Sequence, residues 1–437
     1  MTTRRPTRRH HLALLLVPLL AAAAACTGGG GGPDTQAASG KTLKIGLLAQ
    51  LNGPNRTAGI EAQNGAKLAV DVINGLNPSI PLPLAADAGL PNLGGAKVNV
   101  VVKDATPTAA RDAQVTAGDA VTQLVSDQGV NALIGAYDPQ VTEAASQRSE
   151  RYEVPFVNAD SPATFLTDAG RDWFFRIGPT WRQAGEAFFS LLRQQAVTPK
   201  KILVLHANDK AGQDVATTST ELAAEGELPT PTQLSFDAAT GRDVPQVLQR
   251  AKQLNPDTLL LYSSPATVQP LIRTIAGLGW KPRAAMSFSL GYVTADAFAP
   301  ASAAVDGLMR STSWSIEAAQ RNPAAQAVTA LYQRRYNSAM TEAAASAFTA
   351  VMTVAQAVNA AGTLDNQQVR SALLSLNIPG EQTIMPWAGI QFDETHQNTL
   401  AQPLIEQYHN RQFTVVYPSD AAVSGAKALI PAPNPSG

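Results

Sequence analysis

Short apolar runs alternate with longer amphipathic runs along most of this 437-residue chain, beginning near residue 41. Residues 44–49 have the pattern of a buried strand, and residues 60–73 follow with apolar positions near helical spacing. A second series of the same kind begins at residues 201–205. Strands that alternate with helices predict parallel sheets covered by helices on both faces. Two such series predict two doubly wound α/β lobes.

The other predicted elements continue this alternation. Further strands are expected over 98–102, 132–134, 155–157, 232–236, 258–262 and 284–288. Further helices are expected over 109–125, 140–152, 212–224, 244–254, 268–278, 324–336, 343–360 and 367–376. Late extended segments cover 389–392, 403–409 and 413–417. The first lobe is therefore completed late in the chain, and the Pro- and Gly-rich residues 77–95 are interpreted as a surface insertion.

The order of elements gives a domain division. We expect the first lobe to contain 41–176 and 312–385, the second lobe 177–311 and 386–425, and the tail 426–437. Because the chain passes between the lobes more than once, the hinge is expected to contain several segments.

An export signal precedes these lobes. Residues 1–25 combine four arginines with an apolar run over 12–25, which is typical of a secretory signal and too short to span a bilayer. Cys26, followed by a Gly-rich tether to residue 40, resembles the cysteine of a bacterial lipobox, although Ala23 replaces the usual leucine. That resemblance implies lipidation of Cys26 and anchoring at the outer face of the cell membrane. A plain secretory signal stays open, and so does export by the twin-arginine route.

Charge and cysteine content exclude several classes of protein. The signal segment holds four of the 33 basic residues and none of the 34 acidic ones, so the rest of the chain has a net charge of −5. Nucleic-acid binding would require a basic patch, and we expect none. Cys26 is the single cysteine, which excludes intramolecular disulfides. We expect neither a metal nor a cofactor.

Five stretches resemble the type I solute-binding proteins, in the branch that serves ABC importers of branched-chain amino acids or amides. They are 44–74, 134–157, 175–176, 206–212 and 387–393. The resemblance implies the type I periplasmic-binding-protein fold, with three hinge crossings and a ligand trapped between the lobes. It also implies a receptor that delivers a small polar, amino-acid-like or amide-like solute to ABC permease subunits.

Residues just after the predicted strands are the candidate ligand contacts, because open α/β sheets bind ligands beyond the carboxyl ends of their strands. Helix N-termini at this edge also provide free N–H groups. The candidates are Asn52, Tyr137, Asp138, Gln140, Asn158, Ala159, Asp160, Ser161, Asp209, Lys210, Ala211, Ser263, Ser264, Ser289 and Leu290. Asp209 and Ser264 also fit helix caps, and Asn52 also fits a residue that shapes the following loop.

The chain departs from the amino-acid pattern that the resemblance implies. Receptors for aliphatic amino acids commonly have a tyrosine where this chain has Ala211 and an acidic residue where it has Leu290. A buried ligand ammonium without a counter-charge is costly, although Asp138 or Asp160 would supply one from the other lobe. We therefore expect a ligand other than a standard aliphatic amino acid.

Other function classes have less support. The sequence contains no His-Glu-x-x-His, Gly-x-Ser-x-Gly or Gly-x-x-x-x-Gly-Lys motif, and His206 alone lies where an acid–base residue of a cleft would lie. We therefore expect that this protein is not an enzyme. A surface lipoprotein that senses a ligand and signals to a membrane partner remains the alternative. A transcription regulator is disfavoured, because an export signal occupies the position of its DNA-binding segment.

Overall fold

The structure is a computed structural model. In the part of the chain that it describes, two large β-sheets form the centres of the two lobes. The described residues are 41–264, 266–289, 298, 302–422 and 425–431. The predicted signal segment, Cys26 and the tether lie outside them, and so do Leu290 and residues 432–437 of the predicted tail.

Five strands, counted over the described residues, form the sheet of the first lobe. They are β1 (Thr42–Ala49), β2 (Lys97–Asp104), β3 (Ala132–Gly135), β4 (Phe156–Asn158) and β5 (Phe174–Arg176). The sheet order is β2-β1-β3-β4-β5, and every neighbouring pair is parallel. The helices between these strands are α1 (Arg56–Asn74), α2 (Ala113–Thr122), α3 (Pro139–Tyr152) and α4 (Phe165–Asp168). α1 covers one face of the sheet, and α2 with α3 covers the other.

The second lobe follows without a break. Its helices and first strands are α5 (Trp181–Gln194), β6 (Ile202–Ala207), α6 (Lys210–Glu225), β7 (Thr232–Phe236), α7 (Val244–Leu254), β8 (Thr258–Tyr262), α8 (Val268–Leu278), β9 (Ala284–Ser287), α9 (Ser302–Val305) and β10 (Met309–Thr312). α5 begins with a capping box, in which Thr180 and Gln183 satisfy each other's backbone N–H groups.

The chain then returns to the first lobe and ends in the second. The returning elements are α10 (Ile316–Ala319), α11 (Pro323–Tyr336), α12 (Glu342–Ala361), α13 (Asn366–Leu374), β11 (Asn377–Pro379) and β12 (Gly389–Gln391). The last two strands are β13 (Leu404–His409) and β14 (Gln412–Tyr417). The second sheet has the order β14-β13-β10-β9-β8-β6-β7 over the described residues, and β13 and β14 are its antiparallel members. The predicted α/β class with parallel sheets in two lobes is confirmed.

Three details of the sequence interpretation need correction. The segment 77–95 is not a simple surface insertion, because its apolar residues Ile80, Leu82, Leu84 and Leu90 are buried in the core of the first lobe. β12 pairs with β11, and Ile390 packs in the same core, so the third crossing comes after β12 rather than at residue 386. The helix α5 has no counterpart among the predicted elements.

The helix α12 is apolar on nearly all sides, and it is buried beside α1 on one face of the first sheet, against β3, β4 and α13. Its length and composition would allow it to cross a membrane, but 83% of its most apolar window lies inside the protein. A helix that is apolar all round is typical of a protein core.

Contact between α1 and α12 depends on Gly65. A Cβ atom at this position would lie 2.7 Å from the carbonyl carbon of Ala344, whose backbone leaves no space for it. Glycine therefore allows the two helix backbones to approach closely near the first turn of α12.

We expect Gly65→Ala to lower the free energy of unfolding by about 1–3 kcal/mol, since neither backbone can move freely away from the added methyl group. Gly277→Ala is the matched control, because a Cβ at this exposed position in α8 meets no atom within 4 Å. The free energy of unfolding of Gly277→Ala should rise by about 0.5–1 kcal/mol, because a helix favours alanine over glycine by this amount. Urea unfolding measures both changes, and a Gly65→Ala variant as stable as the parent would contradict the close approach.

Candidate ligand-binding site

A cavity with an empty volume of about 720 Å³, partly open to solvent, lies between the two lobes. Its described lining residues are Tyr137, Asp138, Pro139, Ala159, Asp160, Pro162, Pro179, Thr180, Trp181, Ala184, Tyr262, Ser263, Phe288, Ser289, Ser311, Thr312, Ser313, Glu342 and Pro403.

The carboxyl ends of strands from both sheets surround this cavity. Tyr137 and Asp160 follow β3 and β4 of the first lobe. Ser263 and Ser289 follow β8 and β9 of the second lobe. This edge of a parallel sheet is where open α/β folds bind their ligands.

The hinge segments supply the rest of the lining. Thr180 and Trp181 come from the first crossing, where α5 begins. Thr312 and Ser313 come from the end of β10, and Pro403 comes from the crossing that leads into β13. The hinge therefore forms a wall of the cavity, so a movement of the lobes would change the shape of the cavity directly.

Aromatic rings form an apolar part of the lining. The Trp181 indole is 2% exposed, and its Nε1 atom donates a hydrogen bond to the carbonyl oxygen of Phe288 at 3.2 Å. The Tyr262 ring meets the indole edge-on, with 5.1 Å between the ring centroids. These contacts fix the orientation of the indole beside the cavity.

Three carboxyl groups line the cavity, and they differ in their partners. Asp138 caps α3, where its Oδ1 atom accepts hydrogen bonds from the backbone of Gln140 at 2.9 Å and Val141 at 3.2 Å. Burial raises the pKa of Asp138 above its usual value, because the charged form loses hydration.

Asp160 and Glu342 are electrostatically coupled. Asp160 is 8% exposed; burial, followed by the negative charge of Glu342, raises the pKa of Asp160 to about 7. Glu342 begins α12, and its Oε1 atom accepts hydrogen bonds from the hydroxyl of Ser313 at 2.7 Å and from the Ser313 backbone N–H. Burial raises the pKa of Glu342 as well. Its other oxygen, Oε2, is buried without a hydrogen-bond partner in the described part of the chain.

Contacts at the edge of the cleft hold the two lobes together. The Lys210 ammonium, at the start of α6, lies 2.6 Å from Oε1 of Glu143 on α3 and 4.1 Å from the centre of the Phe165 ring. The Thr164 backbone N–H also donates a hydrogen bond to Oδ2 of Asp214 on α6 at 2.8 Å. All of these contacts join the first lobe to α6.

A family model described as periplasmic binding protein matches residues 42–406. The chain belongs to the periplasmic binding protein family. The family consists of solute-binding proteins rather than enzymes, and the recognition of the chain from its sequence is confirmed.

Individual relatives agree with this assignment. The chain is 24% identical over 403 residues to Leu/Ile/Val-binding protein homolog 7 of Brucella abortus, an alignment that covers 89% of this chain and 94% of the relative. The fold is similar to that of the leucine-binding protein LivK of Thermotoga maritima, with a TM-score of 0.69, 18% identity and coverage of 86% of this chain and 97% of that one. It is also similar to LivJ of Streptococcus pneumoniae in complex with isoleucine, with a TM-score of 0.67, 20% identity and coverage of 86% and 100%.

The structure of this periplasmic binding protein places part of the predicted contact set at the cavity. The candidates that line it are Tyr137, Asp138, Ala159, Asp160, Ser263 and Ser289. Those that lie outside its lining are Asn52, Gln140, Asn158, Ser161, Asp209, Lys210, Ala211 and Ser264. Leu290 and the predicted lipidation site Cys26 are outside the described residues.

Hydrogen bonds within the protein occupy several candidates that do not line the cavity. The exposed Asn52 donates to Oδ2 of Asp104 at 2.6 Å, and the buried Asn158 amide donates to the carbonyl oxygens of residues 135 and 136. Asp209 caps α6 by accepting from the Gly212 backbone at 2.7 Å. Such residues shape the loops at the strand ends without lining the cavity.

The polar lining residues that the sequence interpretation missed are Thr180, Ser311, Thr312, Ser313 and Glu342. In sequence, Glu342 is the first residue of a long apolar helix, a position where acidic residues are favoured by the helix dipole. No local pattern distinguishes that role from facing a cavity. The expectation that hinge crossings line a cleft would have pointed to Thr312 and Ser313.

Proposed function

We propose that this protein is an extracytoplasmic receptor, anchored by lipid at Cys26, that captures a small polar solute between its lobes and delivers it to an ABC importer. One observation carries the proposal: a cavity at the carboxyl ends of both sheets, with one wall formed by hinge segments, in a periplasmic binding protein. Reversible capture requires no chemistry on the solute.

The class of solute follows from the relatives and from the cavity. A relative is named a Leu/Ile/Val-binding protein, and the similar LivJ structure holds isoleucine, which favours an amino-acid-like or amide-like solute. The cavity combines aromatic rings with a few polar groups, as small-molecule sites commonly do.

Capture couples to movement of the lobes through the contacts of α6. The Lys210–Glu143 ion pair and the Thr164–Asp214 hydrogen bond form only when the lobes are close together. A solute that contacts both lobes adds to these contacts and shifts the equilibrium towards the closed form. Permease subunits would then distinguish the closed receptor from the open one.

Purification followed by native mass spectrometry tests the proposal. We expect a small molecule to copurify, and we expect its removal to increase the radius of gyration in small-angle scattering. A deletion strain should take up the identified compound more slowly than its parent, whereas unchanged uptake would favour the sensing role. The mass of the purified chain should include fatty acyl groups on Cys26. No bound compound, together with scattering that is unchanged by a broad metabolite set, would contradict capture.

A further inference from the structure

We propose that the solute carries a positively charged amine, which Asp160 and Glu342 bind together beside the aromatic lining of the cavity. This inference rests on the proposed capture of a solute and departs from the amino-acid-like class that the relatives favour, because it assigns the recognition to a cation rather than to a carboxylate.

The first observation is the sign of the charges around the cavity. Three carboxyl groups line it, those of Asp138, Asp160 and Glu342. The described lining residues include no Lys, Arg or His. Arg310 is a neighbouring cation that acts on Glu342, but its guanidinium is paired with Glu406 at 2.7 Å and stacks on the Phe413 ring at 3.6 Å. The cavity therefore favours a cation over an anion.

The second observation is that the protein itself uses backbone N–H groups that would otherwise bind a ligand carboxylate. Asp138 occupies two N–H groups at the start of α3, and the Asn158 side chain accepts from the Ser161 backbone at 3.0 Å. In the second lobe, the Ser289 hydroxyl accepts from the Ser263 backbone at 3.0 Å. These backbone N–H groups at the strand ends of both lobes are therefore already occupied, which leaves fewer of them for an anionic group of a solute.

The third observation is the buried Oε2 atom of Glu342. This oxygen has no hydrogen-bond partner among the described residues, and Glu342 lines the cavity. A buried carboxylate oxygen without a donor is costly, and such an atom in a native structure calls for an explanation. A ligand ammonium, which has three N–H donors, would provide the missing donor and balance the charges of Glu342 and Asp160.

The aromatic rings of the cavity indicate which kind of group would lie next to the ammonium of the solute. Trp181, Tyr262 and Phe288 lie together on the second-lobe side, and Tyr137 faces them from the first lobe. An aromatic face attracts a cation within about 6 Å and also buries hydrocarbon. The geometry therefore suits an amine with an apolar substituent.

Calorimetry with matched ligands tests this proposal on the purified protein. The first series is leucine, 3-methylbutylamine and 4-methylpentanoate, which share one hydrocarbon group but differ in charged groups. The second series is phenylalanine, 2-phenylethylamine and 3-phenylpropanoate. We expect the amine of at least one series to bind at least tenfold more tightly than its matched acid. A cationic compound as the copurified solute would also support the proposal.

Other outcomes overturn it. An acid that binds as tightly as its matched amine would overturn it, and so would an amino acid that binds more tightly than the amine, because the carboxylate would then contribute to binding. A neutral or acidic copurified solute would also overturn the proposal if no amine binds. These results leave the capture of a solute intact. If no compound of any charge binds or copurifies, the proposed function itself fails.

Two isosteric variants test the residues directly. Glu342→Gln and Asp160→Asn should each weaken binding of the preferred amine, or of a cationic copurified solute, at least tenfold, while thermal unfolding shows that they still fold. Asp112→Asn is the matched control, because this exposed carboxyl group caps α2 and lies outside the cavity lining. Its affinity should stay within twofold of the parent. If the affinities of both cavity variants are unchanged, the assignment is wrong.

Discussion

Arg176→Ala is expected to destabilise this protein more than any other single substitution considered above, by about 3–5 kcal/mol. The side chain has no exposed surface, although it carries a guanidinium group. Its Nε atom donates to Oε1 of Gln397 at 2.6 Å, its Nη2 atom donates to the Thr167 hydroxyl at 2.7 Å, and its Nη1 atom donates to the carbonyl oxygen of Ala163. Alanine would leave these buried acceptors without donors and would also leave a cavity.

The position of Arg176 explains why the loss is expected to be cooperative. Arg176 ends β5 at the first hinge crossing, and Gln397 belongs to the third crossing. The backbones are also joined, because the Arg176 N–H donates to the carbonyl oxygen of His396 at 3.0 Å. Burial lowers the pKa of Arg176 to about 10, so the guanidinium stays charged at neutral pH. The substitution therefore loosens two hinge segments at once.

Equilibrium unfolding in guanidinium chloride measures the effect. Arg182→Ala is the control, because the Arg182 side chain is 34% exposed and its ion pairs with Glu186, Glu221 and Glu225 lie at the surface. Exposed ion pairs of this kind contribute less than about 1 kcal/mol. Arg176→Lys should recover little of the loss, since an ammonium cannot reproduce the planar set of donors. If Arg176→Ala and Arg182→Ala cost the same, the network does not stabilise the hinge.

The fold was largely predictable because strands of parallel sheets are continuous apolar runs and the helices between them are amphipathic. The predicted strand over 132–134 and the predicted helix over 140–152 differ from β3 and α3 by one residue at an end. Elements of three residues, such as β5 and β11, are too short to show a periodicity. Composition was also misleading at 77–95, because its prolines and glycines separate leucines that insert into the core.

The site was predictable where a general rule of topology applies. Residues after strand ends were expected to meet at one edge of each sheet, and the structure places Tyr137, Asp160, Ser263 and Ser289 at the cavity. Asn52 also follows a strand, but it turns outward to Asp104. Glu342 was not predictable, since its place at the cavity depends on how closely α12 approaches α1 at Gly65, a long-range contact that leaves no local pattern.

The second large effect is a loss of stability as the pH rises, and we expect the ionisation of Asp160 to cause it. The pKa of Asp160 is about 7 in the folded protein, whereas an unfolded aspartate titrates near 4. Between these values the folded state holds a proton that the unfolded state has released, so the free energy of unfolding falls as the pH increases. The stabilisation that comes from protonated Asp160 is fully present below about pH 4 and is lost by about pH 7. A difference of about three units between the folded and unfolded pKa values corresponds to about 4 kcal/mol in the free energy of unfolding.

Asp160→Asn removes this titration together with its electrostatic coupling to Glu342. The variant should gain stability relative to the parent as the pH rises from 4 to 8, with a difference that approaches about 4 kcal/mol in the absence of solute. The groups that act on Asp160 are Glu342 and Ser346 on α12, and Asp160 acts in turn on the Tyr137 hydroxyl after β3. Burial also raises the pKa of Glu342, so its titration changes stability in the same direction.

Urea unfolding of the parent, Asp160→Asn and Asp112→Asn at pH 4, 6 and 8 measures the profile. A difference between the parent and Asp160→Asn that does not change across this range would contradict the raised pKa. The exposed Asp112 provides the same chemical change outside the cavity, so its variant is the control for the substitution itself. A bound amine should reduce the difference between the parent and Asp160→Asn at pH 8, because its positive charge stabilises the ionised carboxylate of Asp160. The pH dependence of stability and the proposed charge of the solute therefore have the same origin, the buried carboxyl groups of Asp160 and Glu342, whose ionised forms a cationic solute would stabilise.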